Sequence, residues 1–353
     1  MSKSIKLSPI LNLLFKVGIA LTSMGYVLYN LFFRSNEFSR GDGGEKVDID
    51  IHYILNFLES SLSAHSSAGI SLVILLLLVA LNWGGEVLKW RRLVHEVQPA
   101  SWGLAWKSIL SGVAMSNITP YRIGGYVARV ALLPHENRLK AVSYLLLGDF
   151  AQLLVGVLAG SIATLMLISQ ISIESATIST LEWAAWILLL NGFNGTLIFL
   201  GLKVLSKRLI KIKILKRWSN TIQGVQKTSH EQNALVLLGL STLRFVVILL
   251  QYYLAYTLFG WNIDFITTLL VVAAFLLIYN FLPTFNLFEF GMTKTAILLF
   301  LLETFYGKSF ITFDLALLVS CSSFLIWLIN LAIPALVGSI FVFNMNLFRN
   351  HNK

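Results

Sequence analysis

"SWGLAWKSILSGVAMSNITPYRIGGYVARVALL", residues 101–133, decides how the rest of the chain is read. It is apolar enough for a membrane, yet Pro120 and the pair Gly124–Gly125 interrupt it near the middle. Neither half reaches the ~20 residues that a helix needs to cross a bilayer. Thr119 is a good helix N-cap and Pro120 suits the first helical position, so the pattern predicts a second helix starting there and running toward Leu133. Arg122 then sits in the first turn, where the helix dipole is already positive. An anion beside the free N–H groups would relieve that conflict, and a phosphate is the natural one. On a helix Arg129, seven residues on, shares the face of Arg122, and the two could fork onto phosphate oxygens. The alternative is that both arginines snorkel to headgroups as anchors.

Outward from this stretch the chain reads as an all-α polytopic membrane protein. Of 353 residues, 56% are hydrophobic and only 12% charged, about half the charged share of a soluble domain. Full spans are expected at about 8–33, 69–88, 140–168, 183–203, 234–259 and within 311–345, the last carrying Pro334. Residues 263–306 repeat the apolar–break–apolar design, with Pro283 and Asn286 at the centre. About six full transmembrane helices plus two re-entrant helical hairpins follow, in one integral membrane domain covering 1–353. The first half is about 8–205 with the broken segment 101–133; the second is about 234–345 with the broken segment 263–306. Loop charge sets the sidedness. Lys89, Arg91 and Arg92 mark the cytoplasmic side, as do the seven basic residues in 203–217, which lead into the cytoplasmic basic linker 206–233. The loops near 34–68 and 170–182 carry the acids. Both termini then lie in the cytoplasm, and the two hairpins dip from opposite faces, which leaves room for an inverted-repeat layout. The basic segment 203–217 can also form an amphipathic helix on the membrane surface.

The net charge of +10 therefore belongs to membrane orientation and anionic headgroups at the cytoplasmic face, not to nucleic acid. One cysteine, Cys321, in an apolar run excludes an internal disulfide and a cysteine metal cluster, so no metal and no cofactor is expected. "GDGG" at 41–44 lacks the Lys-Ser/Thr of a phosphate loop and reads as a turn, and the sequon at Asn117 falls on the cytoplasmic face. No HExxH or GxSxG is present, so an enzyme is the less favoured reading.

Polar residues inside the spans are expensive and therefore informative. Asp149 and Gln152 lie three apart on one helical face, and Arg244 and Gln251 seven apart on another. Asp149 can pair with Arg244, Arg122 or Arg129, either as a structural ion pair or as part of a polar path. Gly156 and Gly160 form a small-xxx-small contact. In the second hairpin Asn286 and Glu289 fit a capping pair; Glu289 could also couple a proton or cation, with Lys294 as its partner.

"TPYRIGGYVARVALL" resembles the first motif of the lysylphosphatidylglycerol synthase transmembrane-region family, flippase-like integral membrane proteins, which looks like T-P-G-R-x-G-E followed by an arginine. Thr119, Pro120, Arg122, Gly124 and Arg129 fit it; Tyr121 and Gly125 stand where the family has Gly and Glu. Pro283, Glu289 and Gly291 resemble its second motif, P-x-P-G-G-x-G-x-x-E, at shorter spacing. The resemblance spans roughly 10–345 and implies movement of a phospholipid or lipid-linked anionic headgroup across a bacterial inner membrane. It implies no aminoacyl-lipid synthesis, since the soluble transferase domain of bifunctional relatives is missing. On this reading Thr119, Arg122 and Arg129 hold the lipid phosphate, while Asp149, Gln152, Arg244, Glu289 and Lys294 line the path. A membrane-embedded enzyme or accessory subunit acting on lipid-linked glycans or phospholipids, and a scaffold docking partners through 203–227, are the alternatives. A homo-oligomer is compatible with each.

Overall fold

The computed structural model describes residues 52–53, 56–57, 59–60, 68–119, 123–171, 175–201, 231–282 and 291–343. Ten α-helices are described: α1 Ala68–His95, α2 Trp102–Ile118, α3 Ile123–Ala131, α4 His135–Ile168, α5 Ala176–Leu200, α6 Glu231–Leu258, α7 Phe265–Phe281, α8 Met292–Tyr306, α9 Phe313–Trp327 and α10 Ile333–Phe343. Among the described residues there is no strand. Five stretches are long and apolar enough to cross a membrane: Gly69–His95, His135–Ile168, Ala176–Leu200, Ala234–Leu258 and Phe313–Phe343. They coincide with five of the six expected spans, and the chain is a multi-pass α-helical membrane protein. The span expected at 8–33, the linker 206–233 and the segment 203–217 lie outside the described residues. Large apolar side chains such as Leu77, Trp183, Leu190 and Leu336 face outward. In lipid that exposure carries no hydrophobic penalty.

Two helix ends differ from the sequence pattern. α1 continues seven residues past 88 to His95, because Lys89, Arg91 and Arg92 are good helix formers and a charge does not end a helix. α4 begins at His135, directly after Pro134 and with Glu136 in its positively polarised first turn.

Both interrupted segments are pairs of short helices, and the two pairs are built alike. α1 ends at 95 and α6 at 258; α2 runs 102–118 and α7 runs 265–281. Each of these positions is separated from its counterpart by 163 residues, and so are Pro120 and Pro283. The caps follow the same offset. Ser101 accepts the N–H of Leu104 at 3.2 Å, and Asp264 that of Thr267 at 2.9 Å. Thr119 and Leu282 both close their helices in extended backbone.

The packing repeats as well. α2 packs on α10 and α7 on α4; α1 packs on α4 and α6 on α9; α3 packs on α4 and α8 on α9; α1 and α6 pack on each other. Exchanging α1 with α6, α2 with α7, α3 with α8, and α4 with α9–α10 leaves this map unchanged. α5, packed on α4 and α6, stands between the units. Glycines set the tightest crossings: a Cβ on Gly338 would lie 1.9 Å from the carbonyl oxygen of Leu110, and one on Gly160 2.6 Å from the Cβ of Leu277. Pro334 is accommodated by a π-helical turn over Leu328–Ala332, which absorbs the missing N–H and the clash of the ring with the preceding turn.

Candidate functional site

The break between α2 and α3 lets α3 turn back against its own partner. Thr119 Oγ1 accepts the N–H of Gly124 at 2.9 Å and donates to the carbonyl of Met115 at 2.7 Å, tying the second helix to the first. The described part of α3 begins at Ile123, three residues beyond the start expected from Pro120. Arg129, in its last turn, is laid over Gly112 of α2 so closely that a Cβ there would meet its Cγ at 2.5 Å. Gly85 of α1 gives the stem of Arg244 similar room, at 3.1 Å.

These stems lead to one carboxylate. Glu86, on α1 and only 4% exposed, pairs with Lys89 Nζ at 2.9 Å and Arg129 Nη1 at 3.2 Å, and accepts a hydrogen bond from Arg244 Nη1. Arg244 Nε donates to Asn82 Oδ1 at 3.1 Å, and Nη1 reaches Gln152 Oε1 at 3.4 Å. Lys89 Nζ also donates to the carbonyl of Gly148 at 3.4 Å. The second carboxylate, Asp149 on α4, is 36% exposed. It accepts the Tyr126 hydroxyl at 2.6 Å and lies 3.8 Å from Arg129 Nη1. Among the described residues the cluster holds three cations against two carboxylates, a formal surplus of one positive charge.

The cluster opens onto a cavity of ≈440 Å³. Glu86, Tyr126, Arg129, Asp149, Gln152 and Arg244 supply the polar part of its lining; Leu153, Phe245, Ile248, Leu276 and Leu331 supply apolar side chains beside them on the same or neighbouring helices. Gly125 stands at the rim, and its α-carbon packs on Ser116, where a Cβ would come within 3.0 Å. Donors outnumber acceptors: the indole N–H of Trp83, which lines the cavity, and Nε of Arg129 are buried without a partner. Such a surplus of donors and positive charge suits an oxyanion; no His/Cys/Asp/Glu group suited to a metal occurs among the described residues.

Of the candidate residues named from the sequence, the fold gathers Arg129, Asp149, Gln152 and Arg244 at this cavity, with Thr119 bracing α3 behind it. Lys294 does not line the cavity; its ammonium lies 5.3 Å from the centre of the Tyr279 ring. Gln251 shares the helix of Arg244 but is buried in the core, away from the cavity wall. Arg122, Asn286 and Glu289 lie outside the described residues. Lys89, used in the sequence only to mark sidedness, is 2% exposed and bound to Glu86. Its stem is held by Glu86, three residues earlier on the same face. Glu86, Lys89 and Tyr126 are members of the site that the sequence reading does not name as such. For Glu86 and Lys89 the signal is an acid three residues before a lysine at the end of an apolar run, since neither charge is tolerable there unpaired; for Tyr126 the sequence holds no such signal.

No curated protein and no solved structure matches the chain. Residues 58–302 match the family described as Lysylphosphatidylglycerol synthase TM region. That match covers well over half of the 353 residues and contains α1 to α7 with every charged residue of the cluster. The chain belongs to the lysylphosphatidylglycerol synthase transmembrane-region family, whose setting is the metabolism or translocation of membrane lipids.

Proposed function

We propose that the protein is a lipid translocase that moves a phospholipid or lipid-linked anionic headgroup across a bacterial inner membrane, with both of its termini in the cytoplasm. The observation that carries this reading is the cationic surplus at a cavity whose lining also holds apolar side chains. Charged groups inside a membrane mark substrate pathways more often than structural sites. The guanidiniums of Arg129 and Arg244 offer the planar fork that phosphate oxygens fit. Tyr126 and Gln152 supply further polar contacts, and the apolar side chains of the lining receive the first carbons of the tail. Arg122 and Glu289 belong to the path on this reading only as the sequence places them, and Lys294, which stands over the Tyr279 ring, is no part of the cavity.

The test is reconstitution of the full chain in liposomes with a fluorescent phosphatidylglycerol, whose arrival in the outer leaflet is read by quenching. Arg129→Gln and Arg244→Gln should each reduce transfer at least tenfold while the protein still inserts and melts as a folded species. Transfer that is unaltered in both variants removes the phosphate site. Conversion of the lipid to a new chemical species would show an enzyme instead.

A further inference from the structure

We infer that Glu86 is an exchangeable counter-anion: the incoming lipid phosphate takes Arg129 and Arg244 from it, and Glu86 reclaims them when the lipid leaves. The inference rests on the translocase reading above and specifies how the same site releases its cargo. Both cavity-facing arginines meet Glu86 through Nη1, the atom with which a guanidinium would also grip a phosphate. A carboxylate and a phosphate oxyanion are alternative partners for that fork.

The third cation gives the arrangement its purpose. Lys89 does not line the cavity, yet it holds Glu86 at 2.9 Å and is fixed in turn by the carbonyl of Gly148. When the arginines turn to the lipid, Glu86 therefore keeps a partner and is not left as an isolated buried charge, the costly state. Asp149, reached from the cavity and held by Tyr126, cannot take this role, because it lies 3.8 Å from Arg129 and no contact joins it to Arg244. Without Glu86 the site would keep three cations against one carboxylate and would hold an anionic lipid too tightly to let it go. A conducting site has to bind weakly enough to be left.

The experiment uses the full chain in phosphatidylcholine nanodiscs, titrated with dihexanoyl-phosphatidylglycerol, and the liposome transfer assay in parallel. Glu86→Gln should lower the half-saturating lipid concentration at least tenfold and also lower the maximal transfer rate at least tenfold. Lys89→Gln should do the opposite to binding, raising half-saturation several-fold, because Glu86 then clings to the arginines. A merely structural Glu86 would weaken binding and slow transfer together, and that result overturns the inference. Thermal melting reports whether each variant is folded. Should Glu86→Gln not fold, the wild type still decides. Carbodiimide modification of Glu86, mapped by mass spectrometry, should rise as the lipid binds, and constant modification through saturation overturns the exchange. Lipid binding that is lost in Arg244→Gln but not tightened in Glu86→Gln rejects the exchange and keeps the phosphate site. Failure of the wild type to bind the lipid rejects both.

Discussion

Gly112→Ala tests whether the seat under Arg129 matters. A methyl group there would stand 2.5 Å from Cγ, 2.9 Å from Nε and 3.2 Å from Cδ of Arg129. Ordinary contact begins near 3.4 Å, so the stem has to withdraw by roughly 0.9 Å. Cγ lies close to the root of the side chain, and α2 and α3 already cross with Gly125 against the Gly112 carbonyl, where a Cβ would sit at 3.2 Å. The displacement is therefore passed to the guanidinium. Its distance to Glu86, now 3.2 Å, would grow to roughly 4.1 Å. At an effective dielectric of about 20 the attraction weakens by ~1 kcal/mol. Overpacking adds ~1–3 kcal/mol, and the better helix propensity of alanine returns up to ~1 kcal/mol. The expected net loss is ~1–4 kcal/mol of stability, and because Glu86 then competes less for Arg129, phosphatidylglycerol binding should tighten up to about fivefold. Gly84→Ala, with no atom within 4 Å of the new methyl, is the matched control and should be neutral or stabilising. Tryptophan-detected thermal scans at one fixed rate, with lipid titrations of the same samples, make the comparison. Equal melting and equal binding in the two variants would refute the reasoning.

Further consequences can be read with the same assays. Gly338→Ala should cost about 3 kcal/mol or more, because its methyl would stand 1.9 Å from a backbone oxygen of α2 and no rotamer relieves that; Gly239→Ala, with open space, should melt like the wild type. Tyr126→Phe removes the 2.6 Å hydrogen bond to Asp149. A bond to a charged group is worth ~1.5–3 kcal/mol, and partial exposure of Asp149 puts this one near the lower end. Transfer should slow while binding through the arginines persists, as lipid titration would show. Outside the spans, burial first and the 2.7 Å hydrogen bond to Asp314 second push the Tyr53 hydroxyl from 10.0 up to about 12. The folded chain thus keeps the phenol proton where the unfolded chain loses it. The stability this contributes is complete below pH 10 and lost as pH rises to about 12, a slope that Tyr53→Phe should flatten in pH-dependent melts.

The spans were legible because an apolar run of ~20 residues matches the thickness of a bilayer's hydrocarbon core and exceeds what a buried helix of a soluble domain needs. The interruptions were legible because Pro120 and Pro283 fall inside runs too short to divide into two spans. Glu86 was hidden for a physical reason. It lies at the end of an apolar run, next to Lys89, Arg91 and Arg92, where charged residues ordinarily form a collar at the headgroups. The face of α1 separates Lys89, which is buried, from Arg91, two residues on, which donates to the carbonyl of Ala100 and stacks 4.6 Å over Trp102. The demand for a partner that marks Asp149 applies equally to Glu86 and to Arg244. Three charged residues in spans that each need partners already imply a cluster, although not which cation meets which acid. Sequence spacing brought Asp149 and Gln152 onto one face; it could not show that α6 crosses α1 at Gly85 and delivers Arg244 to Glu86 rather than to Asp149.

The duplicated architecture bears on the same cluster, because among the described residues the cluster is not repeated in the second unit. At the 163-residue offset shared by α1 and α6, Glu86 corresponds to Leu249, Lys89 to Tyr252, and Arg244 to Leu81. The second unit therefore has no counterpart of the carboxylate or of the cation that retains it. Its own arginine instead crosses the interface between the units to complete the site of the first. Val113 and Leu276, which correspond at the same offset, both line the cavity, so both units contribute to its lining. A site shared in this way responds to any relative movement of α1 and α6. Sliding one helix against the other lengthens Arg244–Glu86 while leaving Glu86–Lys89, which lies within α1, unchanged. That difference ties release of Arg244 to motion between the units. It predicts that a cross-link fixing α1 to α6 near Gly85 would stop transfer and leave lipid binding intact, whereas one within α1 would affect neither.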